Sequence, residues 1–169
     1  NSAPIVTQGT NATLSLDEDG SISTSYSATD TDGDSLSWSV STEATHGEVS
    51  VEANTGVLTY SSSVDYFGDD SFTLQVSDGM NTAQIAVTVT INAVNDAPFL
   101  TNSIDAGTLV VTVKDGNATV VSLTASDKEG DVVSYSMGDT HDEIFFELNS
   151  ATGVLRFKNP PEHSKPLDS

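Results

Sequence analysis

Ala28-Thr-Asp30-Thr-Asp32-Gly33-Asp34-Ser-Leu36-Ser-Trp38 returns later in the chain as Ala125-Ser-Asp127-Lys-Glu129-Gly130-Asp131-Val-Val133-Ser-Tyr135. Thr55-Gly-Val-Leu-Thr-Tyr60 returns in the same way as Thr152-Gly-Val-Leu-Arg-Phe157. Asp30 and Asp127, like Thr55 and Thr152, stand 97 residues apart, so one small domain's worth of chain is repeated in register. The opening Asn1-Ser-Ala-Pro4 returns as Asn95-Asp-Ala-Pro98, which sets the expected boundary: residues 1–94 form the first repeat and residues 95–169 the second. The acids lie where consecutive repeats would touch.

Around these stretches the sequence alternates apolar and polar residues with period two, and no window keeps helical spacing for three turns. The class is all-β. In the first repeat the pattern predicts strands over 5–7, 12–16, 21–28, 35–41, 48–52, 57–61, 71–78 and 83–92, divided by turns such as Asp19-Gly20, Asp32-Gly33, Asn54-Thr-Gly56 and Asp78-Gly79. Strands of this number and length fit a Greek-key sandwich of about seven strands. Leu36, Trp38, Val40, Val49, Val51, Leu58, Tyr60, Phe72, Leu74, Val76, Ile85, Val87, Val89 and Ile91 take the inward positions. Leu109-Val-Val-Thr-Val113 reads as a strand of the second repeat. The shift of 97 sets Ser169 against Phe72, so the second sandwich is expected to lack its last two strands here, to be completed by further residues or by a neighbour's strands.

Acidic residues outnumber basic ones by 25 to 5, a net charge of −20 that repels nucleic acid and anionic lipid and favours cations. With no cysteine, no disulfide forms and any metal site must be built from oxygen. No apolar run approaches the roughly 20 residues of a membrane helix, so membrane insertion is not expected.

Asp30-Thr-Asp32-Gly33-Asp34 places three carboxylates within five residues on a turn that Gly33 allows to be tight. Calcium relieves their mutual repulsion, taking roughly 6 to 8 oxygens with loose geometric demands. An EF-hand loop is excluded, because the sixth and twelfth positions counted from Asp30 are Ser35 and Ser41 rather than Gly and Glu. Aspartate is also a good turn former, and a single Asp-Gly would signify only a turn. Three acids at matching places in both repeats favour calcium.

Glu18-Asp19-Gly20, Ala28 to Asp34, His46-Gly47, Asp65-Tyr66-Phe67-Gly68-Asp69-Asp70-Ser71-Phe72, Val76-Ser-Asp78-Gly79 and Val94-Asn95-Asp96-Ala97-Pro98 span the first repeat. Together with Ala125-Ser-Asp127-Lys-Glu129 and Phe146 to Gly153, this pattern resembles the bacterial cadherin-like repeats strung in tandem through large surface and secreted proteins. The resemblance implies two tandem cadherin-like, Ig-like β-sandwiches, an extracellular or cell-surface location, and calcium (Ca2+) held between successive repeats. Carried onto this chain, it implies Glu18 and Asp65 from the first repeat, Asn95 and Asp96 from the linker, and Asp127 and Glu129 from the second. It sets Asp30, Asp32 and Asp78 toward a preceding repeat. The chain departs from the pattern at Phe67, which stands where cadherins offer a second acid after Asp65, and at Ser2, which stands where the linker acid would be.

His46, His141 and His163 share no metal-ligand spacing, and no nucleophile elbow or phosphate loop occurs, so no enzyme is expected. Trp38 and Tyr60 read as core residues, and Tyr66 and Phe67 as loop aromatics tucked against the sandwich edge. The expected partners are neighbouring repeats of the same protein. Polysaccharide or a homophilic partner is the alternative.

Overall fold

The structure, a computed structural model, describes residues 1–102, 111–114, 116–138 and 144–160. It divides into two compact units, Asn1–Val94 and Asn95–Ser169. The first unit contains β1 (Ile5–Val6), β2 (Asn11–Asp17), β3 (Ser21–Ser25), β4 (Ala28–Thr29), β5 (Ser37–Thr42), β6 (Gly47–Val51), β7 (Val57–Ser62), β8 (Gly68–Ser77) and β9 (Thr82–Asn92). Seven of these build the sandwich: one sheet in the order β2-β9-β8-β5, the other β3-β7-β6, with β1 and β4 paired at the side. β2 runs parallel to β9, from Asn11 opposite Ala86 to Asp17 opposite Asn92, and the other pairs are antiparallel.

Period two decides the core. On β8 and β9 each inward residue is buried, Phe72, Leu74 and Val76 on one strand and Ile85, Val87, Val89 and Ile91 on the other, while the alternating positions face out. Leu58 and Tyr60 of β7 and Trp38 of β5 meet them, and Leu36, Val40, Val49 and Val51 pack half-buried against this centre. Each fully buried large side chain contributes about 1.5–3 kcal/mol of transfer free energy. Val6 and Tyr26 complete the buried cluster, although the alternation pattern had not marked them.

The strand expected over 21–28 is two strands. It leaves β7 after Ser25, where the Tyr26 N–H donates to Gly56 O at 2.9 Å and the Ser27 N–H to Gln8 Oε1 at 3.1 Å, and then pairs with β1. This switch closes the sandwich corner. The strand expected from 35 begins at Ser37, and β8 begins at Gly68, earlier than expected, because Gly68 through Ser71 continue the ladder with β9.

The second unit contains β10 (Phe99–Leu100), β11 (Thr119–Ser122), β12 (Ala125–Ser126), β13 (Phe146–Leu148) and β14 (Val154–Phe157). Its sheets, β10-β12 and β11-β14-β13, repeat β1-β4 and β3-β7-β6 of the first unit. The repetition extends to single hydrogen bonds. Trp38 N–H to Ala53 O (2.8 Å) and Tyr26 N–H to Gly56 O (2.9 Å) return as Tyr135 N–H to Ser150 O and Leu123 N–H to Gly153 O, both 2.9 Å. Gly56 and Gly153 occupy φ +69° and +67°, and a Cβ there would lie 2.2 Å from Tyr26 O or 2.5 Å from Leu123 O. Only glycine lets the two segments approach so closely.

The second unit's counterpart of the four-stranded sheet does not occur among the described residues. Leu109 and Val110 of the expected strand lie outside them, and Val111, Thr112 and Val113 form no strand. In the first unit the equivalent β2 is held by β9, and β5 by β8. The positions equivalent to β8 and β9 lie outside the described residues.

Candidate metal sites

Among the described residues, five side-chain oxygens are buried yet accept no hydrogen bond: Glu18 Oε2, Asp30 Oδ2, Asp78 Oδ2, Asp96 Oδ2 and Glu129 Oε1. Every one is a carboxylate oxygen of a residue the sequence marks out. A buried carboxylate oxygen without a partner costs of the order of 1–3 kcal/mol or more, which a cation offsets.

At the head of the first unit the turn after β4 folds back on Asp30. Its Oδ1 accepts the N–H groups of Asp32 (2.8 Å) and Asp34 (3.3 Å), which leaves Oδ2 as the orphan. Oxygens of Asp30, Asp32 and Asp34 lie within 4.8 Å of one another, a spacing that a single cation could span. Asp32 Oδ2 accepts the Ser2 N–H and Asp34 Oδ2 the Asn1 amide, both at 2.6 Å. Asp78, at the tip of the β8-β9 hairpin, is outside this triad. Its Oδ1 accepts the N–H groups of Met80 (2.7 Å) and Asn81 (2.6 Å), and the Asn81 amide reaches Asn1 Oδ1 at 2.5 Å. The Asn81 N–H, with Met80 and against the effect of burial, holds the Asp78 carboxyl below the usual carboxylate range, so it is charged at neutral pH.

At the other end of the first unit, the β2-β3 turn carries Glu18, which is 5% exposed. Its Oε1 accepts the Val94 N–H at 2.6 Å, which leaves Oε2 without a partner. Asp65, exposed in the turn between β7 and β8 at φ +58°, donates its N–H to Asp19 Oδ1 at 2.9 Å. That bond draws Asp65 to the turn that holds Glu18.

The second unit rebuilds the head of the first. Asp127 Oδ1 accepts the N–H groups of Glu129 and Asp131, both at 3.1 Å, as Asp30 does for Asp32 and Asp34. Glu129 Oε2 accepts the Asp96 N–H at 2.9 Å, as Asp32 accepts that of Ser2. The exposed Asn95 donates its amide to Asp96 O at 3.0 Å. Asp96 Oδ2 lies 3.3 Å from Lys128 Nζ without a hydrogen bond from it, so it is charge-paired but uncoordinated. No second acid triad as close as that of Asp30 occurs among the described residues.

Asp34 is the third carboxylate of the calcium turn read from the sequence but is absent from the ligands the resemblance implies, and Asn81 and Asn1 are absent from both. Asp34 belongs to the quoted acidic turn and Asn1 to the repeated Asn-x-Ala-Pro, whereas Asn81 carries no sequence signal. A further acid, Asp70, is 6% exposed on the inward side of β8. Its carboxylate accepts the N–H groups of Thr45 (3.0 Å), His46 (2.9 Å) and Ser71 (2.8 Å) and the Tyr60 hydroxyl (2.8 Å). All its oxygens are engaged, which makes it a structural anchor. His46, beside it, stacks on Tyr66 with ring centres 3.7 Å apart, as expected of a tucked loop aromatic, whereas Phe67, expected to tuck in the same way, is 42% exposed because its position in the turn before β8 faces away from the core. His141 and His163 lie outside the described residues.

The residues at the three acidic ends fit a hard cation: the donors are all oxygen, several are fixed by backbone N–H groups, and the orphan oxygens are carboxylate. Among the described residues no helix is long and apolar enough to cross a membrane.

Residues 1–92 match the family model for the bacterial Ig domain. No match was found among curated protein sequences. Among solved structures, the chain is similar to human protocadherin-24 EC1-2 at 23% identity and TM-score 0.56, covering 95% of this chain and 81% of that one. Human CDH23 EC21-23 is similar at 18% identity and TM-score 0.57, over 96% of this chain and 55% of that one. The protocadherin gammaB4 extracellular domain is similar at 16% identity and TM-score 0.53, over 97% of this chain, which spans 30% of that domain. These likenesses establish a cadherin-like, Ig-like β-sandwich fold, and the chain belongs to the bacterial Ig domain family.

Proposed function

We propose that this chain is a calcium-binding tandem segment of a bacterial extracellular or cell-surface protein, a spacer or adhesive rod whose stiffness depends on calcium. The supporting observation is that, among the described residues, the five buried side-chain oxygens that accept no hydrogen bond all come from carboxylates at the ends of the repeats. Glu18 and Asp65 on one side of the Val94–Asn95 connection, and Asn95, Asp96, Asp127 and Glu129 on the other, are the ligands proposed to restrain it. Asp30, Asp32 and Asp78 are proposed to serve a preceding repeat.

Calcium suits these groups better than magnesium, which demands stricter octahedral geometry. An ion that binds only the ordered arrangement stabilises it by RT ln(1 + [L]/Kd). Neighbouring repeats are the proposed partners. A carbohydrate role would need an open aromatic face: one face of Tyr66 is already stacked on His46, which leaves the exposed Phe67 as the loop aromatic that such a ligand would use.

Calorimetric titration with calcium, combined with small-angle scattering with and without chelator, tests this reading. Calcium uptake with a narrower spread of interdomain distances is expected. Absence of uptake, or uptake with unaltered scattering, overturns it.

A further inference from the structure

We infer that Lys128 sets how tightly the second unit's carboxylates take up calcium, because its ammonium group is the resident cation that a metal ion must displace from Asp96. The inference rests on the reading that these carboxylates bind calcium.

Lys128 stands between Asp127 and Glu129, and its Nζ lies 3.3 Å from Asp96 Oδ2. That oxygen and Glu129 Oε1 are buried and accept no hydrogen bond. The lysine therefore supplies charge without satisfying the lone pairs. In the first unit the equivalent residue is Thr31, between Asp30 and Asp32, and Ser2 stands where Asp96 does. The first unit's acid triad thus has no lysine in its turn, whereas the second unit has one ammonium against Asp96.

An ammonium group carries a single charge on a flexible four-carbon stem and cannot gather the roughly 6 to 8 oxygens that calcium takes. A divalent ion reaching Asp96 would meet that positive charge at close range, so Lys128 must swing aside. The side chains of Lys128 and Asp96 are 36% and 35% exposed, which keeps the pair in the weak range of half-solvated ion pairs and leaves room for the swing. Breaking such a pair corresponds to about a two- to fivefold change in affinity, and repulsion of the ion by the displaced ammonium adds to it. Lys128 would therefore offset one of the negative charges of the metal-free site and set the calcium concentration at which it fills.

The test is calcium affinity, measured on the 169-residue chain by competition with a chromophoric chelator at low salt, together with melting in excess chelator. Lys128→Thr is expected to bind calcium about three- to tenfold more tightly and to melt at a lower temperature without metal. Lys128→Arg, which keeps the charge, is expected to stay within about twofold of the parent. Thr31→Lys, on an exposed position of the first unit, is expected to weaken calcium binding there. Equal affinities for the parent and Lys128→Thr overturn the lysine inference and leave the calcium reading standing, as does a gain shared equally by Lys128→Arg. No calcium uptake by the parent or any variant overturns both.

Discussion

Glu18 accepts the Val94 N–H at 2.6 Å through one carboxylate oxygen and keeps its other oxygen buried without a hydrogen bond. The side chain thus ties the β2-β3 turn to the chain leaving β9 while holding one oxygen in reserve.

Replacing Glu18 by Gln keeps the acceptor for Val94 and removes the buried charge. In excess chelator the melting temperature is expected to hold or rise, since an uncompensated buried charge is lost. Calcium at a hundred times its Kd would stabilise the parent by about 2.7 kcal/mol, and Glu18→Gln is expected to lose more than half of that. Paired thermal melts with calcium and with chelator measure both quantities, and an undiminished calcium increment would remove Glu18 from the ligand set.

The acid triad of Asp30, Asp32 and Asp34 repels itself when no cation is present. Raising sodium chloride from about 0.02 to about 0.5 M, which shrinks the Debye length severalfold, is expected to stabilise the metal-free chain more than the calcium-loaded one. Denaturant melts at the two salt concentrations would show equal increments if the triad were not under repulsion.

Asp70 should govern the first unit's stability without touching calcium. Burial pushes its carboxyl up, but the N–H groups of Thr45, Ser71 and His46 and the Tyr60 hydroxyl outweigh this and hold it below the usual carboxylate range. Burial and then Asp70 itself push the Tyr60 hydroxyl well above its ordinary range, so it stays a donor. A group whose folded pKa is depressed contributes stability above its unfolded pKa, about 3.9 for aspartate, and loses it as pH falls through the folded value. Asp70→Asn is expected to cost about 2–3 kcal/mol at pH 7, with the gap closing below about pH 4. Urea melts of both proteins from pH 7 to pH 3 would contradict this with a constant gap.

Gly56 and Gly33 separate two kinds of glycine. Both have positive φ, +69° and +79°, but a Cβ on Gly56 would lie 2.2 Å from Tyr26 O, whereas one on Gly33 meets nothing within 4 Å. Gly33→Ala is expected to cost about 1 kcal/mol of backbone strain and Gly56→Ala about 3 kcal/mol or more. Equal losses in urea melts would show that the close approach at Tyr26 relaxes freely.

Repetition, alternation and turn chemistry are local, and for that reason the chain alone determined the all-β class, the inward residues from Trp38 to Ile91, and the acidic turns at Asp30 and Asp127. The grouping of acids is likewise written in the spacing of Asp30, Asp32 and Asp34. Tertiary structure alone decided which oxygen of each carboxylate finds a donor, since the partners of Glu18 and Asp70 come from segments 76 and about 25 residues away. It also decided that the 21–28 segment changes sheets at Tyr26. A strand forms only where another strand supplies its hydrogen bonds, and those partners, β7 for β3 and β1 for β4, lie 20 or more residues away in the chain.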